Sequence, residues 1–211
     1  MFNIDQIVKA LQTNPNAQRT AMTGAAGMAA GMLLSKGGLG KLAGKAVPLG
    51  AIAAVGGLAY NAWQNHQNQQ RQDTGAPSQD AFIPPPSDTA GQEQLGKTLV
   101  RAMIAAAKAD GGIDATEKEA IFNRLETMQL SSEEKAWVFD ELSSPLDINA
   151  VAARADTPEH AAEIYAASLV AITADTAAER MYLSALASKL NLPDTLVAEI
   201  HKSAEQAVLA K

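Results

Sequence analysis

Helix-start signals recur through the second half of the chain, and they constrain its fold more than any other feature of the sequence. Ser131 with Glu134, and Thr176 with Glu179, each place an acid three residues after a hydroxyl N-cap, which is the capping-box pattern. Thr157-Pro158-Glu159 combines a cap, a proline at the first helical position and a first-turn acid. No stretch alternates convincingly as a strand would. The pattern therefore predicts a compact all-α domain of about seven short helices.

The front of the chain has a different composition. Ten of the fifteen glycines lie between Gly24 and Gly57, and residues 46–63 form a charge-free, mostly apolar run. This run is about as long as a helix needs to cross a bilayer core of about 30 Å. We therefore expect one membrane span at about 46–63, and the alternative is a glycine-rich hairpin packed on protein. The residues expected at the membrane interface are Lys41, Lys45, Tyr60 and Trp63.

A second apolar stretch, residues 20–35, also lacks charge. It would extend for roughly 24 Å as a helix, which is short of the bilayer core. Glycines four residues apart, as at Gly27 and Gly31 or at Gly40 and Gly44, let helices approach closely in lipid. These glycines could therefore let copies of the chain associate as a homo-oligomer through the Gly-rich segment.

Composition divides the chain into three parts. Residues 1–63 combine a short amphipathic N-terminal helix with the Gly-rich segment, and residues 93–211 carry the helical pattern. Residues 64–92 are rich in Gln, Asn, Pro, Ser and Asp, and they include three consecutive prolines. Such a composition offers little apolar surface to bury, so we expect a flexible, disordered linker there.

Charge divides the chain in the same way. Residues 1–63 hold five basic residues and one acid, whereas residues 93–211 hold eleven basic residues and nineteen acids. An acidic domain is a poor partner for nucleic acid, while the basic, apolar front suits a lipid bilayer with anionic headgroups. The chain has no cysteine and three histidines, which excludes thiolate zinc sites and disfavours a His-rich metal site.

Two acidic turns in the helical domain are similar. In each of them an Ala-rich helix end is followed by Ala-Asp, then by a turn, and then by an acid in the first turn of the next helix. If the two halves pack together, their carboxylates could form an all-oxygen site for Ca²⁺ or Mg²⁺, because clustered carboxylates repel unless a cation neutralises them. The other interpretation is that these acids only cap helices. The candidate metal ligands are Asp110, Asp114, Glu117, Asp175 and Glu179.

The run from Lys108 to Glu117, with its partner acids Asp175 and Glu179, resembles the TerB-like superfamily. The whole layout is similar to its YebE-like branch of bacterial inner-membrane proteins, a domain of unknown function. This resemblance implies an all-helical fold, an acidic surface suspected of binding metal, and no enzymatic activity.

These observations favour a membrane-anchored, non-enzymatic helical interaction module in bacterial envelope or stress physiology, with a divalent cation as a possible cofactor. Its expected partners are the lipid bilayer and other proteins. The expected location is the inner membrane, with a single pass, and the side on which the helical domain lies stays open. The alternative is a metal-dependent enzyme that uses the clustered carboxylates.

Overall fold

The computed structural model describes residues 47–70, 77–85, 87–111, 113, 131–172, 174 and 176–209. Within these ranges the chain forms seven α-helices and one 3₁₀ turn, Gln79–Ala81, and none of these residues lies in a strand. The all-helical prediction is confirmed for this part of the chain. The helices are α1 (Val47–Gln70), α2 (Thr89–Ala107), α3 (Ser132–Ser143), α4 (Ile148–Ala152), α5 (Pro158–Ala171), α6 (Ala177–Lys189) and α7 (Asp194–Leu209).

The predicted caps start the predicted helices. Ser131 and Glu134 form a complete capping box at α3, and Thr176 and Glu179 form another at α6. The Thr157 hydroxyl accepts a hydrogen bond from the backbone N–H of His160 at the start of α5. Each cap satisfies N–H groups that a helix leaves unpaired at its first turn, which fixes where the helix begins. The helix predicted to begin at Asp114 lies outside the described residues.

Helix α5 is the centre of the helical body. Every residue from 161 to 169 is buried, and α5 contacts α1, α2, α4, α6 and α7. A helix that is apolar on all sides must be surrounded in this way. Its alanines leave room for neighbouring backbones to approach closely. The fully or almost fully buried alanines of α5 are Ala161, Ala162, Ala166, Ala167 and Ala171.

The second half of the run predicted to cross a membrane packs against this centre. It lies in α1, which contacts α5 and α7, and Val55, Leu58, Ala59 and Ala62 are buried there. These four residues follow the i, i+3, i+4, i+7 spacing of a helix with one apolar face, so α1 is amphipathic from Val55 onward. No helix in the described part of the chain is both long enough and apolar enough for a transmembrane span. The span expected at 46–63 is therefore not supported.

The aromatic residues expected at a membrane interface have protein partners. Tyr60 and Trp63 are both half-buried, and each ring meets the ring of Phe82 edge to face, with centroids 5.6 and 5.9 Å apart. Lys41 and Lys45, the other expected interface residues, lie outside the described residues.

Two parts of the range predicted as a flexible linker, 64–92, pack on the body in the described structure, while the linker as a whole stays a prediction. Helix α1 continues to Gln70, where the amide of Gln69 donates a 2.7 Å hydrogen bond to Oε1 of Glu199 on α7. Residues 77–85, which we call the strap, place Phe82 in the core with 0% exposure. The burial of this large aromatic side chain offsets part of the conformational entropy that the strap loses when it packs on the body.

Phe82 and Phe139 provide a matched pair of substitutions. Phe82 is 0% exposed, whereas Phe139 on α3 is 52% exposed. We expect Phe82→Ala to lower the free energy of unfolding by about 3–5 kcal/mol, because it leaves a cavity among Tyr60, Trp63 and α5. Phe139→Ala should change it by about 0.5 kcal/mol or less. Urea denaturation of the full chain measures both, and equal effects would contradict the docked strap.

Candidate functional site

Three polar side chains of α5 point into the body, and two of them have partners. The Tyr165 hydroxyl lies 2.9 Å from Nε2 of His201 on α7, and the Ser168 hydroxyl donates a 3.4 Å hydrogen bond to the carbonyl of Ala102 on α2. Glu163 is the exception. It is 0% exposed, and neither carboxyl oxygen has a hydrogen-bond partner in the described structure.

The surroundings of Glu163 are built by three segments. Helix α5 carries the acid, α1 brings Gly56 above it, and the strap brings Phe82 and Ile83. A methyl group at Gly56 would lie 2.8 Å from Cγ1 of Ile83, 2.9 Å from the carbonyl oxygen of Phe82 and 3.2 Å from Oε1 of Glu163. We call these four residues the Glu163 junction. Only a glycine lets the three segments approach this closely.

The electrostatics of the junction favour a neutral carboxyl group. Burial, together with the smaller effect of the negative charge of Glu159 one turn earlier on α5, raises the pKa of Glu163 to about 9. Removal from water disfavours the charged form, and no cation near the group offsets that cost in the described structure. Glu163 is therefore protonated at neutral pH, where it can donate as well as accept a hydrogen bond.

Further unpartnered polar atoms surround the same strap. The amide nitrogen of Gln92, at the start of α2, donates hydrogen bonds to the carbonyls of Pro84 and Pro85 at 3.0 and 3.2 Å. Its amide oxygen has no partner in the described structure, and neither has the indole N–H of Trp63, which packs on Phe82. Buried polar atoms without partners are costly, and their concentration around one segment marks it as a candidate functional site.

The hydrogen-bonded pair of Tyr165 and His201 carries no charge at neutral pH. Burial lowers the pKa of His201, against the opposing effect of Glu205, and burial raises the pKa of Tyr165 to about 12. Both side chains are then uncharged, and their hydrogen bond is a structural link between α5 and α7.

Two of the five predicted metal ligands, Asp110 and Glu179, lie in the described part of the chain, and the site that all five would form stays a prediction. Asp110 is exposed in the turn after α2. Glu179 is buried, and its Oε2 accepts hydrogen bonds from the backbone N–H and the hydroxyl of Thr176 at 3.1 and 2.9 Å. Asp114, Glu117 and Asp175 lie outside the described residues. Among the residues described, no group of three or more His, Asp or Glu side chains is placed to hold a metal ion.

Sequence reasoning missed Glu163, although one signal was present. The acid stands in an otherwise apolar stretch, Ala161 to Ala167, in which no face is polar. A single acid in a helix that is apolar on all sides must be buried, whereas an acid on an amphipathic helix faces water.

Known proteins resemble this chain over its front and its helical body alike. A profile of the family described as "Protein of unknown function (DUF533)" matches residues 19–204. An "Uncharacterized protein in ampR 5'region" of Yersinia enterocolitica is 32% identical over 101 residues, which cover 48% of this chain and 73% of the relative. No solved structure matches the chain. Neither description names an activity or a ligand, and the finer resemblance to YebE-like and TerB-like proteins stays a prediction.

The contact at Gly56 gives one prediction, for which the next residue is the control. We expect Gly56→Ala to destabilise the protein by about 1–3 kcal/mol, because the added methyl would lie 2.9 Å from the rigid carbonyl of Phe82. Gly57 has nothing within 4 Å of the corresponding position. Gly57→Ala should stabilise the helix by about 0.5–1 kcal/mol. Urea denaturation at one pH measures the free energy of unfolding of both variants. A stabilising effect of Gly56→Ala would contradict the close approach of α1 to the strap.

The pKa of Glu163 predicts a pH-dependent stability. Because the folded state holds the proton up to about pH 9 and the unfolded state releases it near 4.5, the contribution is full below pH 4.5 and is lost as pH rises towards 9. Relative to wild type, Glu163→Gln should therefore gain up to about 1.4 kcal/mol per pH unit between pH 5.5 and 8. Urea denaturation across this range measures the difference. Exposed Glu133→Gln is the control and should keep the wild-type slope, and a parallel profile for Glu163→Gln would rule out a buried acid.

Proposed function

Since the chain belongs to the family of unknown function DUF533, we propose from its own residues that it is a non-enzymatic helical binding module, held at an anionic membrane surface by residues 1–45. In a bacterial cell this surface would be that of the inner membrane. The observation that carries the proposal is the charge division between the front of the chain and its helical body.

The charge division has a direct physical consequence at a membrane. Residues 1–45 hold five basic residues and one acid, and three of the lysines, Lys36, Lys41 and Lys45, directly follow the charge-free residues 20–35. Anionic headgroups attract each basic residue near the surface by about 1 kcal/mol. An apolar stretch beside them adds burial in the headgroup region. The acidic body is repelled by the same surface, so the chain would orient with its front towards lipid.

The packing of α1 moves the attachment towards the N-terminus. Val55, Leu58, Ala59 and Ala62 are buried against α5 and α7, and their apolar surface is therefore unavailable to lipid in this conformation. Residues 20–35 are the other long charge-free stretch in the front of the chain. The proposed anchor is accordingly this earlier stretch, with its lysines, in place of residues 46–63.

A binding role is supported by how the described acids are used. The carboxylates of Asp88, Asp147 and Glu179 accept hydrogen bonds from backbone N–H groups at the starts of α2, α4 and α6. Their geometry is that of helix caps. A metal-dependent enzyme would need its acids free to bind the metal ion or the substrate. Glu179, one of the predicted ligands, instead caps α6, and this favours the binding role over the enzyme. Binding of Ca²⁺ or Mg²⁺ by the five predicted acids stays a prediction.

Vesicle binding by the full chain tests the proposal. We expect sedimentation with vesicles that contain an anionic phospholipid, weaker binding to vesicles of phosphatidylcholine alone, and weakening at high salt. Replacement of Lys36, Lys41 and Lys45 by Gln should weaken binding on the order of 100-fold, because about 3 kcal/mol of attraction is removed.

Three basic residues of the body provide the matched control. Arg154, Lys189 and Lys202 are exposed, and their joint replacement by Gln changes the net charge by the same amount. This variant should bind vesicles as wild type does or more weakly by less than about threefold. Equal losses for the two triple variants, or no binding of the wild type to anionic vesicles, would defeat the proposal.

A further inference from the structure

We propose that the strap, residues 77–85, is a proton-controlled lid over Glu163, which stays closed while Glu163 is neutral and opens when Glu163 ionises. This inference rests on the geometry of the Glu163 junction and does not depend on the proposed membrane attachment. Neither the family description nor the relative suggests it.

Two oxygen atoms lie close to Gly56 at the junction. Oε1 of Glu163 and the carbonyl oxygen of Phe82 both lie within 3.2 Å of the position that a methyl group on Gly56 would take. A protonated carboxyl group brings a hydrogen-bond donor to this crowded place, whereas a carboxylate brings only acceptors. Ionisation of Glu163 therefore places a negative charge close to the negative end of the Phe82 carbonyl dipole. Water does not reach this space, because Glu163 is 0% exposed.

The charged groups around the junction do not compensate an ionised Glu163. On α5 itself, Glu159 adds negative charge. Helix α1 carries no Asp, Glu, Lys or Arg, and its His66 lies almost three turns beyond Gly56. The strap carries Asp80, which is exposed and of the same sign as the carboxylate.

The other helices packed on α5 direct their charges elsewhere. Arg101 of α2 pairs with Glu141 at 2.8 Å, and Lys97 of α2 pairs with Glu93 at 2.6 Å. Lys202 of α7 lies 3.4 Å from Glu199, and Glu205 acts on His201. Helix α4 has no charged residue. On α6, Glu179 is held in its cap and Arg180 donates to the carbonyl of Ala174.

The strap is the element able to open at lowest cost. Its own backbone hydrogen bonds are the three of one 3₁₀ turn, donated by Ala81, Phe82 and Ile83. It is fastened to the body by the buried ring of Phe82, by the partly buried side chains of Ala81 and Ile83, and by the two hydrogen bonds that Gln92 donates to Pro84 and Pro85. Short segments with few buried contacts open with less free energy than the core helices beneath them. Opening would hydrate Glu163 and uncover the rings of Tyr60 and Trp63.

The direction of the pH effect follows from linkage. With the strap closed, the pKa of Glu163 is about 9, and with the strap open it returns towards 4.5. The open state therefore gains relative to the closed state as pH rises between these two values, by about tenfold in the opening constant per pH unit. Above about pH 9 the gain levels off.

Amide hydrogen exchange on the full chain tests the lid. After correction for the intrinsic pH dependence of exchange, protection of the amides at 81–83 should fall about tenfold per pH unit between pH 6 and 8.5. These amides should also exchange at least tenfold faster than the core amides of 161–169 at every pH. Glu163→Gln and the apolar Glu163→Met should both make the 81–83 protection independent of pH, while Glu133→Gln keeps the wild-type slope.

Three outcomes would overturn the lid. Equal protection at 81–83 and 161–169 would mean that the strap opens only when the whole body unfolds. Rapid exchange at 81–83 with no pH slope would mean that strap opening does not hydrate Glu163. A slope that persists in both Glu163 variants would assign the pH dependence to another group.

Discussion

The complete burial of α5 is the constraint on which the rest of the described structure depends. An apolar helix surrounded on all sides needs neighbours that come close, and close approach needs small side chains at the contacts. The chain supplies them on both of two contacting helices, since Ala59 and Ala62 on α1 and five alanines of α5 are all buried. Aromatic residues make up only 4% of the sequence, and three of them, Phe82, Tyr60 and Trp63, pack together at the strap.

The same constraint explains why α1 belongs to the body. Without α1 and Phe82, one side of α5 would face water, because α1 and the strap are what cover Glu163 and its neighbours. A body that began at residue 93 would therefore lack part of its own core. The family match, which starts well before α1, fits this arrangement. The boundary of the packed body then falls before the described part of α1, and the basic residues of the front precede that boundary.

Local signals in the sequence were sufficient for the caps and insufficient for the packing. Ser131, Thr157 and Thr176 start helices where predicted, because a cap depends on residues only two or three positions away. The error at 46–63 came from weighing total apolar length, while the i, i+3, i+4, i+7 positions from Val55 already described one apolar face.

Long-range packing hid the strap and the candidate site. Ala81, Phe82 and Ile83 form an apolar run of only three residues between polar residues and three prolines, which is too short to show a periodicity that would predict the burial of Phe82. The proton of Glu163 depends on α1, α5 and the strap meeting at one point, and this meeting is a property of the tertiary structure alone. The pairing of the acidic turns was an inference of the same long-range kind. Of its five acids, Asp110 and Glu179 can be placed, and Glu179 serves as a cap.

The Glu163 junction combines two choices that each reduce stability. A glycine within a helix costs about 1 kcal/mol relative to alanine, and a buried acid must either hold a proton or accept a large desolvation cost. The two are linked, because Gly56 is what allows the Phe82 carbonyl and the Glu163 carboxyl group to share one small space.

An apolar residue at position 163 and an alanine at position 56, with a strap set slightly further away, would fill the same volume more stably. Places where a chain departs from local rules of stability are where function is expected, and here both departures converge on one short segment that a few contacts attach to the body. The junction is therefore better explained by a need to open than by a need to hold the body together.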